Sequence, residues 1–167
     1  MRTMAKKSRK PDTRSGWIVR SALLRLRTHD RLELVDLTDR IADVVRRSGV
    51  VHGIVSVQTR HTTTAVLVNE NEPLLIRDLL ELFERWAPRE GSYRHDDLAA
   101  RGPGLPADER RNGDAHARAA LLRASETLNV VDGVMQLGRW QRVFLVELDG
   151  ERDRTLSVLV LGSGSRE

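Results

Sequence analysis

Apolar residues recur along the chain in short runs broken by polar or glycine-containing clusters, and the period of each run predicts an element. Trp17 to Leu26 alternates, with Trp17, Val19, Ser21 and Leu23 on one face, and predicts a first strand. Arg27-Thr28-His29-Asp30 reads as a polar turn into a second strand over Leu32 to Leu37. A hairpin is therefore expected to open the fold, with His29 at its exposed tip. The spacing then changes: Leu37, Ile41, Val44 and Val45 fall on one helical stripe, with Thr38 placed to cap it and Gly49 to stop it. Gly53 to Thr59 returns to β-branched alternation, and Ala65 to Val68 is an apolar, strand-like run. Pro73 suits the first turn of a helix whose apolar side is Leu75, Ile76, Leu79, Leu80, Phe83 and Trp86. Residues 91–108 read as a loop, and residues 117–123 as a helix capped by Asn112 or Asp114. Asp132-Gly133 between two apolar runs is a two-residue hairpin signal. Strands over residues 142–148 and 155–161 complete the series. The sum is an α+β protein: a single domain, a largely antiparallel β-sandwich with about three helices.

One stretch does not serve a core. Arg60-His61-Thr62-Thr63-Thr64 interrupts two strands, and Asn69-Glu70-Asn71-Glu72 follows the second. Imidazole, hydroxyl, amide and carboxylate groups gathered there suit a site that handles a metal, a phosphate or a proton. A second cluster, Tyr93-Arg94-His95-Asp96-Asp97, lies in the loop, and Asn112-Gly113-Asp114-Ala115-His116 opens the third helix, where backbone N–H groups attract anions. Trp140-Gln141 sits in a polar break before a strand. His52 beside Gly53 reads as a loop residue. Asp78 lies near a helix start, where a carboxylate also serves the dipole.

Composition narrows the chemistry. There are 167 residues and no cysteine, which removes thiolate nucleophiles and Cys-ligated zinc and leaves His, Asp and Glu as metal ligands. The formal charge is +4, and Arg2, Lys6, Lys7, Arg9, Lys10 and Arg14 concentrate positive charge in residues 1–15, read as a basic disordered tail. The body, residues 16–162, is then close to neutral, so nucleic acid is not expected as its partner; residues 163–167 read as a flexible C-terminus. No apolar run is long enough to span a bilayer and no apolar leader core opens the chain, so a cytoplasmic location is expected. Phosphate-cradling glycine loops, the Gly-x-Ser-x-Gly elbow and the His-Glu-x-x-His motif are all missing.

Taken in order, Arg60-His61-Thr62-Thr63-Thr64-Ala65, Asn69-Glu70-Asn71, Tyr93-Arg94-His95-Asp96, Asn112-Gly113-Asp114-Ala115-His116 and Leu137-Gly138-Arg139-Trp140-Gln141 resemble the YjbQ family over residues 16–162. Secondary thiamine-phosphate synthase activity is attributed to that family: a phosphorylated thiazole is joined to a pyrimidine pyrophosphate, and pyrophosphate is released. The resemblance implies a homotrimer with Trp140-Gln141 near the shared site. It also implies a small phosphorylated metabolite as ligand and a zinc or magnesium ion or an anion at the His and Asn/Glu motifs. Carried onto this chain, it makes His61, Asn69, Glu70 and Asp96 catalytic candidates. Thr62, Thr63, Asn112, Trp140 and Gln141 become substrate or anion contacts, and His61, His95, Asp114 and His116 metal ligands. Three features depart from the family pattern. Asp114 stands where members carry the first His of His-x-His, Arg139 replaces a threonine, and the step from Asn71 to Pro73 is one residue short. A non-catalytic module for a metal or small anionic metabolite is the competing reading, and a trimeric scaffold whose polar cluster only satisfies a subunit junction is a third. The two site readings share one geometric expectation: His61 and His116 face one pocket.

Overall fold

A computed structural model describes residues 16–164; the basic tail lies outside them. Eight strands and three helices follow one another as β1 (Trp17–Arg27), β2 (Glu33–Asp36), α1 (Thr38–Ser48), β3 (Val50–Thr59), β4 (Thr64–Glu70), α2 (Pro73–Trp86), α3 (Gly113–Leu121), β5 (Ser125–Val131), β6 (Val134–Met135), β7 (Gln141–Glu147) and β8 (Asp153–Gly164). A short 3₁₀ turn, Arg94–Asp96, lies in the long connection between α2 and α3. A five-stranded sheet, β1-β8-β3-β5-β6, and a three-stranded sheet, β2-β7-β4, are both antiparallel throughout. The core lies between them. Val55 and Val57 of β3 and Leu156, Val158 and Val160 of β8 pack with Val66 of β4 and Val143 and Leu145 of β7, and α1 adds Ile41 and Val45.

The predicted elements are present, but the first two strands do not pair with each other. β1 pairs with β8, and β2 pairs with β7 in the other sheet. Arg27 to Leu32 is therefore a crossing between sheets, not a hairpin tip. Alternation identifies a strand and its faces but carries no information about its partner. Helix α1 keeps the predicted stripe, with Leu37, Ile41 and Val45 buried, and ends on Gly49 in the left-handed region at φ 76°. Its start differs. The Asp36 carboxylate accepts the Thr38 N–H at 2.8 Å, while Thr38 Oγ1 accepts the Val143 N–H at 2.8 Å and ties the helix to β7. The Asp132-Gly133 hairpin forms, and both residues take positive φ (53° and 75°), as a type I′ turn requires.

Ser163 and Gly164, read from sequence as flexible, continue β8 and pair with Trp17 and Val50. The glycines there serve close packing. Gly53 and Gly162 face each other across β3 and β8, and a Cβ at either position would sit little more than 2 Å from a carbonyl oxygen of the neighbouring strand. No helix among the described residues is long and apolar enough to cross a membrane.

Candidate functional site

Two connections, the first turn of α3 and the approach to β8 meet at one edge of the sandwich and line an open cavity of about 410 Å³. The β3–β4 turn brings Arg60, His61, Thr62 and Thr63. The long α2–α3 connection brings His95, Arg101 and Glu109, and the first turn of α3 brings Asn112 and His116. Arg152 enters from the β7–β8 connection and Arg154 from the start of β8. The three imidazoles of the sequence motifs thus line one pocket, with four guanidinium groups around them. The His95 and His116 rings meet edge to face with centroids 4.6 Å apart.

The floor is a buried ion pair. Arg154, 3% exposed, donates from Nε and Nη2 to the Glu147 carboxylate at 2.6 and 2.5 Å, and Glu147 is 0% exposed. Glu147 also accepts from Thr28 Oγ1 and from the Leu148 and Asp149 N–H groups. Burial raises the Glu147 pKa, but Arg154, the backbone donors and Thr28 outweigh it and hold the group below its ordinary value. Beside this pair, Asp149 sits 3.4 Å from Arg152, and Arg101 bonds Glu109 at 2.6 Å. Arg60 has no carboxylate within 4 Å among the described residues. Four guanidiniums against Glu109, Glu147 and Asp149 leave the pocket cationic even with neutral imidazoles.

Two of the imidazoles, His61 and His116, are tuned towards neutrality. His61 Nε2 accepts the Thr155 N–H at 2.9 Å, so the neutral ring carries its proton on Nδ1. Burial, then Arg154, lowers the His61 pKa against the opposing pull of Glu147. Burial, then the neighbouring His95, lowers that of His116. An anion placed beside them opposes that lowering: His116 can then gain a proton, whereas His61, whose Nε2 already accepts the Thr155 N–H, donates to the anion from Nδ1 as a neutral ring.

A match to the YjbQ-like UPF0047 family model covers residues 22–163. The chain belongs to the YjbQ family. A UPF0047 protein of Methanothermobacter thermautotrophicus is 40% identical over 139 residues, which is 83% of this chain and 90% of that protein. The UPF0047 protein YugU of Bacillus subtilis is 29% identical, over 83% of this chain and 97% of its own length. A YbjQ-like protein of unknown function from Sulfolobus solfataricus shares the fold at TM-score 0.80 and 32% identity, covering 89% of this chain and all of that one. A hypothetical protein from Aeropyrum pernix K1 follows at TM-score 0.76 and 32% identity, over 86% and 99%.

Set against the YjbQ motifs, the structure divides the sequence candidates. His61, Thr62, Thr63, His95, Asn112 and His116 line the pocket. Asp96 does not: its Oδ1 accepts the Gly113 N–H at 2.8 Å, so this carboxylate caps α3 and occupies a donor that was expected to attract anions. Asn112 takes the expected cap position of α3, but its side chain donates from Nδ2 to Asp149 at 2.8 Å. Asp114 points to the other side of α3, where it is buried and ion-paired with Arg31 and Arg118. Asn69 and Glu70 lie at the far end of β4, opposite Arg142 and Gln141. Trp140, 59% exposed and stacked by Arg139, lies at that same end. Within one chain none of these four reaches the pocket, and Asp78 is exposed on α2.

The expected metal set is therefore broken. Its carboxylate, Asp114, is committed to two arginines, His61 Nε2 is committed to Thr155, and the surroundings are cationic. Among the described residues no three His, Asp or Glu side chains come close enough together to hold a metal ion. This donor set does not fit a divalent cation. A larger cavity of about 600 Å³ next to Tyr93 and Arg111 contains no imidazole. Its aspartates are already bonded, Asp96 to Gly113, Asp97 to Ala100, and Asp114 to Arg31 and Arg118.

Arg101, Glu109, Arg152 and Arg154 were not singled out from sequence. A signal existed for Arg154, which shares the core-facing parity of Leu156, Val158 and Val160 in β8. A charge at an inward position of an apolar strand demands a partner, here Glu147. Arg101 and Glu109 sit in a loop without periodicity and gave no such signal.

Proposed function

We propose that this YjbQ-family protein binds the phosphate or diphosphate group of a small metabolite in the pocket of His61, His95 and His116. The carrying observation is the convergence of those imidazoles with Arg60, Arg101, Arg152 and Arg154 around one cavity of about 410 Å³. Guanidinium forks suit phosphate oxygens, and partly buried imidazoles can gain a proton as the anion arrives.

The finer reading is the transfer attributed to the family. The thiazole nitrogen attacks the carbon that bears diphosphate; a C–N bond forms, the C–O bond breaks, and diphosphate leaves with the electron pair. The ring nitrogen is itself the nucleophile, so no side chain has to act as a strong base. The pocket's contribution would be to hold the diphosphate and neutralise the charge it gains. Pyrophosphate release that requires both substrates supports this reading. Anion binding without release supports a binding module instead.

Anion binding itself has a pH signature. Both His61 and His116 start below their ordinary 6.5, so these two rings are largely neutral at pH 7.5. A bound dianion raises the His116 value, binding takes up a proton there, and affinity must rise as pH falls. Sulfate, which does not itself titrate in this range, is expected to bind about tenfold or more tightly at pH 5.5 than at pH 7.5 by calorimetry. A pH-independent sulfate affinity contradicts the role of the imidazoles.

Self-association belongs to the same proposal. Trp17, Val19 and Leu23 of β1, Ile54 of β3 and Leu159 of β8 are exposed on the outer face of the five-stranded sheet, with Trp17 76% exposed. Such a face suits burial against further copies, as in the expected trimer, and a neighbouring copy would also be needed to bring Trp140 and Gln141 to a pocket. Light scattering should give three times the 18.9 kDa chain mass at micromolar concentration; the single-chain mass rejects it.

A further inference from the structure

The pocket's unpartnered atoms describe its ligand more closely than its charge does. Among the described residues, four buried side-chain polar atoms lack a hydrogen-bond partner in the protein: His95 Nε2, Asn112 Oδ1, Arg152 Nε and Arg118 Nη1. Arg118 lies beside Asp114, 3.2 Å from Nη1 to the carboxylate, which meets its charge. The other three belong to residues that line the His61 pocket. Arg152 Nε is a donor, and an imidazole nitrogen can serve either way. Asn112 Oδ1 is different, because it can only accept.

Its orientation is fixed. Asn112 is 8% exposed, and its Nδ2 donates to Asp149 Oδ2 at 2.8 Å. At neutral pH an aspartate carboxylate only accepts, so turning the amide over would set oxygen against oxygen. Asp149 is itself 4% exposed and lies 3.4 Å from the Arg152 guanidinium, which anchors the acceptor. Beside the Glu109 carboxylate, which Arg101 holds, the pocket therefore presents several donors and one acceptor fixed in place without a partner. A fully deprotonated anion satisfies the donors but leaves Asn112 Oδ1 facing lone pairs. A buried acceptor left unmatched in this way weakens binding.

We infer that Asn112 Oδ1, held by Asp149, accepts a hydrogen bond from the ligand, so that the site selects an anion that carries its own O–H or N–H donor. Among inorganic anions this is hydrogen phosphate rather than sulfate. Among metabolites it is a phosphate or diphosphate whose adjoining portion offers an amine or hydroxyl to Asn112. The inference rests on the anion reading above and adds a specificity determinant to it.

The test is equilibrium binding of inorganic phosphate and of sulfate to the full chain at pH 7.5, measured side by side by calorimetry. Phosphate should bind about tenfold or more tightly than sulfate. Asn112→Leu, which keeps bulk but has no acceptor, should bring the ratio near one. Asp149→Asn frees the Asn112 amide to turn and should lower the ratio mainly by strengthening sulfate, which gives an independent arm if one variant does not fold by circular dichroism. Equal affinities in the unmodified protein overturn the inference and leave the anion reading standing. Binding of neither anion overturns both. A phosphate preference that survives unchanged in both folded variants overturns the assignment to Asn112.

Discussion

Replacing Glu147 with alanine is expected to destabilise the protein by about 3–5 kcal/mol, the range for removing one member of a buried ion pair. Glu147 is fully buried and accepts five hydrogen bonds: one from Thr28, two from backbone N–H groups and two from Arg154. Without it the Arg154 guanidinium remains 3% exposed, with a single bond to Thr63 at 3.3 Å. The loss comes from that stranded charge more than from the attraction itself. Replacing the pair together, Glu147→Leu with Arg154→Met, should therefore cost less than Glu147→Ala alone. Urea unfolding at a fixed chain concentration measures both. A loss below about 1 kcal/mol for Glu147→Ala contradicts the buried-pair account. The pair has a pH limit of defined sign. The folded pKa of Glu147 is lowered, so its stabilisation is present above the ordinary value of 4.5 and is lost as pH falls through the lower folded value.

The second large effect falls on binding. The double change His61→Ala with His116→Ala should weaken sulfate or pyrophosphate binding at pH 6 at least a hundredfold, on the basis of two charge-assisted hydrogen bonds of about 1.5–3 kcal/mol each. The fold should persist, since both rings are only partly buried and neither belongs to the apolar core. The Thr155 N–H loses its acceptor at His61, which costs about 1 kcal/mol. Calorimetry on protein of unchanged circular dichroism measures the effect. Retained affinity moves the anion site elsewhere, and the neighbouring cavity by Arg89 and Arg111 is then the first place to look.

Local structure was legible in the sequence wherever one residue type had one physical reason to be there. Gly49 ends α1 because it takes positive φ, Asp132-Gly133 turns a hairpin for the same reason, and the Leu37–Ile41–Val45 stripe faces the core. Pairing was not legible. β1 and β2 are adjacent in sequence and belong to different sheets, because the long partners β8 and β7 arrive only at the end of the chain. The site divided in the same way. Resemblance picked out His61, His95, Asn112 and His116, which line the pocket. Asp114 was carried over as a metal ligand from the family's His-x-His position, but it stands two positions before His116 on a helix, and that spacing turns the side chains apart. Of the arginines that make the pocket cationic, Arg60 adjoins His61 in sequence, but Arg101 comes from the α2–α3 connection and Arg152 and Arg154 from the approach to β8 and its start, and only the fold brings these three to the imidazoles.

The five histidines provide the most direct test of the pocket. Their imidazole nitrogens can be followed in a 15N-labelled full chain while pyrophosphate is added at pH 6.5. His61, His95 and His116 line the pocket, whereas His29 and His52 are exposed outside it and serve as internal controls. The three pocket rings are expected to shift together along one saturable curve, with His116 moving towards the protonated form and His61 responding at its donating Nδ1, while His29 and His52 stay unchanged. Uniform small shifts of all five rings, or no shift of His61 and His116 at saturating pyrophosphate, would contradict an anion site built on these residues.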